Sequence, residues 1–219
     1  MTGKHNLHKN VALIAAGNKM SDKAVVSRTS TALQSRMVHL ELKVNKNDWI
    51  EWADTHGVDY RVKGFIEFKP DLLHKFDPNH SDVTFPAPRT WDFTSRIIKD
   101  WKTIPDSKLP ILAGTVGTGA AFEFKHYCKE YDNLPTINQI LNNPESITVP
   151  QEPSTLFAIT SLISHNLTPQ TVSKIIKFIN RLPKEFQIIT LQGAIRMDKL
   201  LLKEEVIKGW ISNNSRELF

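Results

Sequence analysis

The chain has 219 residues, of which 40% are apolar and 23% charged. That is enough for one large domain or two small ones, and too apolar for wholesale disorder. The longest uninterrupted apolar run, Val11 to Ala16, is far too short to cross a bilayer, and the first ten residues hold no apolar stretch of the secretory-signal kind. A single cysteine, Cys128, excludes an intrachain disulfide, so a reduced, cytoplasmic setting is expected.

The net charge of +5 is unevenly placed. Residues 1–46 carry eight Lys/Arg against two acids, whereas the remainder is nearly balanced. Such an excess suits contact with phosphate, on a nucleic acid or on a nucleotide, and equally suits a solvated basic surface.

In chain order, VALIAAGN (residues 11–18) reads as a buried strand ending in a turn at Gly17-Asn18. Residues 28–36 are compatible with a short helix, with Ser27 or Thr29 as its cap. MVHLELKV (residues 37–44) alternates, with Val38, Leu40, Leu42 and Val44 on one face, the mark of a second strand.

Beyond Val44 nearly everything reads helical. Asn47 or Asp48 caps a helix through Trp49, Ile50 and Trp52 that stops at Gly57. Residues 58–68 carry Val58, Val62, Phe65 and Ile66 at helical spacing, and the prolines at 70, 78, 86 and 88 mark an irregular connection. A helix then starts near Thr90 and runs through Ile98. Further helices are expected near 106–114, 118–131, 136–142, 153–165, 169–182, 184–197 and 203–212, with 144–153 as a linker. The clearest is 169–182, where Val172, Ile175, Ile176, Ile179 and Leu182 trace one face.

Several site types fail on spacing. The eight histidines form no HExxH and no Cys/His cluster, so no metal site is expected. Cys128 reads as a structural thiol. GTVGTGAA (residues 114–121) has the glycine spacing of a P-loop, but Ala120 and Ala121 stand where Lys and Ser/Thr are required. It reads as a turn into a helix.

The segments VALIAAGNKMSDKAVV, TALQSRMVHLEL, NDWIEWA and FPAPRTWDFTSRII, in this order, resemble the second half of an AAA+ ATPase, in particular the MoxR-like group of bacteria and phages. The likeness covers roughly residues 8–142; the tail after about 150 resembles the same proteins' C-terminal extension with less specific motifs. It implies a mainly α chain with a small α/β remnant. Residues 1–45 would be the C-terminal part of the core, an incomplete αβα layer with strands at 10–16 and 37–43. Residues 46–104 would form a helical lid and 105–219 a helical extension.

The resemblance also assigns roles. Asn18 falls at sensor 1, whose side chain orients the attacking water beside the γ-phosphate; the bare residues would equally make a turn. Arg36 falls at the arginine finger, which reaches a neighbouring subunit's nucleotide; Arg28 is a weaker candidate for that task, and the plain alternative is a surface arginine at a helix end. Arg89, in PAPRTW, falls at sensor 2 on the first turn of a lid helix, where the alternative is an exposed arginine. Arg96 reads as structural.

The chain departs from the family in lacking the P-loop and the Asp-Glu strand that holds Mg²⁺. It is therefore expected to be inactive alone, as a truncated, split or decayed gene product, and to use ATP and Mg²⁺ only with the missing P-loop half or a neighbouring subunit. A homo-oligomeric ring, a remodelled protein substrate, no membrane and no nucleic-acid partner are implied. The rival reading is a non-enzymatic helical module whose basic N-terminus binds nucleic acid or protein.

Overall fold

The computed structural model describes residues 7–18, 30–79 and 83–214. The described residues are mainly helical. Helix α1 is the short Thr31–Gln34, capped by Ser30, whose hydroxyl accepts from the Leu33 amide at 3.3 Å. The expected caps, Ser27 and Thr29, and the second arginine candidate, Arg28, lie outside the described residues.

The two expected strands are not formed. Residues 11–18 and 38–45 follow irregular backbone, and no strand occurs among the described residues. The cause is visible in the side chains. Leu13, Ile14, Val38, Leu40 and Leu42 are each more than four-fifths exposed. A strand needs a neighbour's N–H and C=O groups and a covered face. The amides of residues 12–16 have no backbone partner among the described residues.

The helices from residue 46 onward match their sequence signals closely. α2 (Lys46–Thr55) is capped by Asn45, whose Oδ1 accepts from the Asn47 and Asp48 amides at 2.8 and 3.2 Å. The cap thus falls two or three residues before the expected ones. Gly57 ends the helix with φ +68°, a conformation that glycine adopts without a Cβ penalty. α3 (Tyr60–Phe68) is capped by Asp59, and a 3-10 turn, Pro70–Leu72, follows.

α4 (Pro88–Ile98) opens on proline at its first position, where the missing N–H costs nothing. α5 (Leu109–Val116) and α6 (Thr118–Cys128) flank Gly117, at φ +82°. The glycine-rich segment is therefore a helix–turn–helix joint with no strand leading into it. α7 (Ile137–Asn142) carries a reciprocal box: Thr136 Oγ1 accepts from the Gln139 amide, and Gln139 Oε1 accepts from the Thr136 amide. α8 (Pro153–Asn166) and α9 (Pro169–Ile179) again start on proline, and α10 (Lys184–Met197) and α11 (Glu205–Asn213) complete the order.

The chain divides into two compact units, Met1–Leu42 with Asp77–His80, and Lys43–Phe76 with Ser81–Phe219. Within the larger unit, one apolar cluster gathers α2 to α6 around Phe65, Trp91, Leu112 and Phe124. A second gathers α7 to α11 around Ile159, Ile163, Ile175 and Phe178. All five predicted core residues of the 169–182 segment are buried. Each contributes about 1.5–3 kcal/mol. Packing of α3 along α8, and of α8 along α10, brings the two clusters together.

Candidate functional site

Arg89 is the second residue of α4, and it is exposed. Both ends of α4 are pinned. Trp91 is fully buried, and its Nε1–H donates to the Leu72 carbonyl at 2.6 Å. Thr90 Oγ1 accepts from the Ala87 amide at 2.9 Å and closes the first turn. At the other end the Arg61 guanidinium donates to the Ile98 and Trp101 carbonyls, at 2.8 and 2.6 Å, while Asp59 grips it through both carboxylate oxygens. Burial works against the charge on Arg61, but the Asp59 contact outweighs it and its pKa is raised. Arg61 is thus a buried, permanently charged clamp on the last carbonyl of α4 and on the Trp101 carbonyl just beyond it.

Arg89 itself has no ion pair or side-chain hydrogen bond among the described residues. A cation in the first turn of a helix sits at the positive end of the macrodipole, where it is disfavoured by about 0.3–1 kcal/mol. An exposed guanidinium and free helix N–H groups at one place suit an anion. Arg96, about two turns on, is paired with Asp92 at 2.6 Å, a surface i,i+4 pair in keeping with its structural reading.

Asn18 and Arg36 belong to the smaller unit, and Arg89 belongs to the larger. Asn18 ends the first described segment and is exposed, with no regular structure around it. Arg36 follows α1; its backbone amide donates to the Leu33 carbonyl at 3.1 Å and its side chain is exposed.

A second group of polar and charged side chains lies inside the larger unit, where α2, α3, α8 and α10 meet. Lys63 Nζ donates to Asp54 Oδ1 at 3.0 Å, with both side chains under a tenth exposed. Arg196 Nη1 approaches Asp54 Oδ2 at 3.5 Å. Glu67 holds Lys46 at 2.6 Å. Nearby, the Tyr131 and Ser161 hydroxyls lie 2.6 Å apart, and Ser164 Oγ donates to the Thr190 carbonyl at 3.0 Å. These polar groups crowd against two helix-interior glycines. A Cβ on Gly64 would lie 2.5 Å from Tyr127 Oη and 2.6 Å from Ser161 Oγ, and one on Gly193 would lie 2.5 Å from Ser164 Oγ. Glycine is required here for close approach.

Sequence reasoning missed this cluster. Its one legible signal is glycine within two helical patterns, at 64 and 193, which costs helix propensity and marks close packing. Lys63 and Arg61 gave no such signal, since charged residues on a helix usually face solvent.

Other titratable groups are set by their surroundings. Burial pushes the Cys128 thiol far above its ordinary range, so it stays protonated and unreactive. Partial desolvation, then repulsion from Lys63, lowers the His165 pKa, while Asp59 pulls the other way. His165 is stacked on Tyr60 at 5.1 Å and keeps over a third of its surface exposed. Among the described residues no three His, Cys, Asp or Glu gather as metal ligands. No helix among them is long and apolar enough to cross a membrane. Comparison with family models, curated proteins and solved structures returns no match for this chain.

Proposed function

We propose that this chain is the C-terminal half of a MoxR-like AAA+ ATPase, supplying sensor 1, arginine finger and sensor 2 to an ATP-hydrolysing, protein-remodelling assembly. The observation that carries the reading is Arg89: an exposed, unpaired guanidinium on the first turn of a helix whose remaining contacts are fixed at both ends. That is the arrangement a lid residue needs to meet a triphosphate. The exposed apolar stretches at 11–16 and 38–44 support it, because they are patterned as strands and call for a sheet to join.

In this reading residues 1–45 complete an αβα core, 46–104 are the lid and 105–219 the extension. Asn18 orients the attacking water, and Arg36 stabilises charge developing on a neighbouring subunit's nucleotide in a homo-oligomeric ring. Arg89 closes over the bound triphosphate. Mg²⁺ neutralises charge between the phosphates when bound, and its carboxylate ligands come from the P-loop-bearing half. The assembly works in the cytoplasm on a protein substrate.

The test is reconstitution with a P-loop-bearing counterpart encoded beside this chain. Turnover of ATP is expected only with both parts present. Arg36→Ala is expected to lower turnover by about 10³–10⁵ while leaving nucleotide affinity nearly intact. Arg89→Ala is expected to weaken both affinity and turnover. Hydrolysis that ignores Arg36, or affinity that ignores Arg89, would reject the assignment.

A further inference from the structure

We infer that the cavity where α2, α3, α8 and α10 meet binds an internal water molecule, held between Asp54 Oδ2 and Thr160 Oγ1. The cavity measures about 30 Å³ and is lined by Asp54, Lys63, Thr160, Ser161, Ser164 and Gly193, among others. That volume is enough to hold an internal water.

Two atoms of its wall point to the occupant. Asp54 Oδ2 and Thr160 Oγ1 are both buried, and neither has a hydrogen-bond partner among the described residues. Asp54 and Thr160 are 7% and 2% exposed, so bulk solvent does not serve them. The other Asp54 oxygen is taken by Lys63, and the 3.5 Å approach of Arg196 to Oδ2 is ionic, too long for a strong hydrogen bond. A carboxylate oxygen only accepts, whereas a hydroxyl both donates and accepts. One water satisfies both, giving a proton to Asp54 and taking one from Thr160.

The rest of the wall selects water over other small species. Lys63 and Arg196 already neutralise Asp54, so a cation gains little there. Glu67 is likewise paired, with Lys46, so no unpaired charge in the wall is left to draw in an ion of either sign. The serine hydroxyls donate to the Ala158 and Thr190 carbonyls and keep acceptor capacity for a further partner. Gly193 leaves room where a side chain would stand: a Cβ built on it would lie 4.0 Å from Asp54 Oδ2. The water therefore joins α2 to α8 at the seam of the two apolar clusters, beside the charged groups of α3 and α10.

A crystal structure of the full chain, at a resolution that orders internal water, tests this directly. The expected result is one density peak about 2.7–3.2 Å from both atoms. An empty cavity, or a Thr160 hydroxyl turned onto the Leu156 carbonyl of its own helix, would overturn the inference. Thr160→Val gives a second readout, because valine keeps the shape and removes the hydroxyl. With a water in place, the urea midpoint is expected to fall by about 0.5 M. An unchanged or raised midpoint would mean that the hydroxyl had been dry, and would count against the site. Should Thr160→Val fail to fold, the wild-type density decides.

Discussion

Residues 38–44 and residues 172–182 are both rich in apolar side chains, yet they meet opposite surroundings. In the second stretch Val172, Ile175 and Ile179 are fully buried; in the first Val38, Leu40 and Leu42 are almost fully exposed. The difference lies in what each periodicity demands. A helix satisfies its own backbone within one turn and needs only an apolar face to lie against. For α9 that face is met by α7 and α11. A period-2 segment leaves every backbone donor and acceptor to a neighbouring strand, and without one its pattern buys no burial.

The widest separation between the two regions should appear in amide exchange. Amides of Ala12 to Ala16 are expected to exchange on the order of 10³-fold or more faster than those of Ile175 to Ile179, which open only with the larger unit. Slow exchange across 12–16 in a soluble monomer would break the contrast and reveal a sheet that the described structure lacks.

Truncations should follow the same division. Phe65→Ala, in the centre of the first apolar cluster, is expected to cost about 3–5 kcal/mol. Leu42→Ala should stay within about 0.5 kcal/mol, because its side chain is already in solvent. Chemical denaturation of the two variants reads both values, and a large loss for Leu42→Ala would place that side chain in a core.

The smallest expected effects compare two glycines. A Cβ at Gly64 meets three hydroxyl oxygens within 2.8 Å, so Gly64→Ala is expected to cost about 1–3 kcal/mol despite alanine's better helix propensity. At Gly17 nothing lies within 4 Å, and Gly17→Ala should leave the thermal midpoint unchanged. A stable Gly64→Ala variant would mean that α3 and α8 are less closely packed than they stand here.

Much of this was legible from the residues. The stop at Gly57, the helices beginning at Pro153 and Pro169, and the buried stripe of α9 all follow from local chemistry. So does the failure of GTVGTGAA as a phosphate cradle, since its lysine and hydroxyl are absent from the sequence itself. The strands at 10–16 and 37–43 were patterned but not formed, because pairing depends on a neighbour and pattern alone supplies none. Arg89 was placed correctly at a helix start; that it stands unpaired while Arg96 is held by Asp92 is a matter of geometry.

Composition and periodicity by themselves determined that this protein is mainly helical from residue 46 onward, where its helices begin and end to within about three residues, and the apolar face that α9 buries. Those outcomes rest on contacts within a few residues along the chain, which a sequence displays directly. Only the tertiary structure decided that Lys63 and Asp54 pair inside the body, that Arg61 clamps the end of a helix 37 residues away, and that Gly64 and Gly193 admit polar groups between the helices. A charged residue on a helix is solvated or buried according to what the remainder of the chain lays against it. That partner is fixed by packing between distant segments, which no local pattern records.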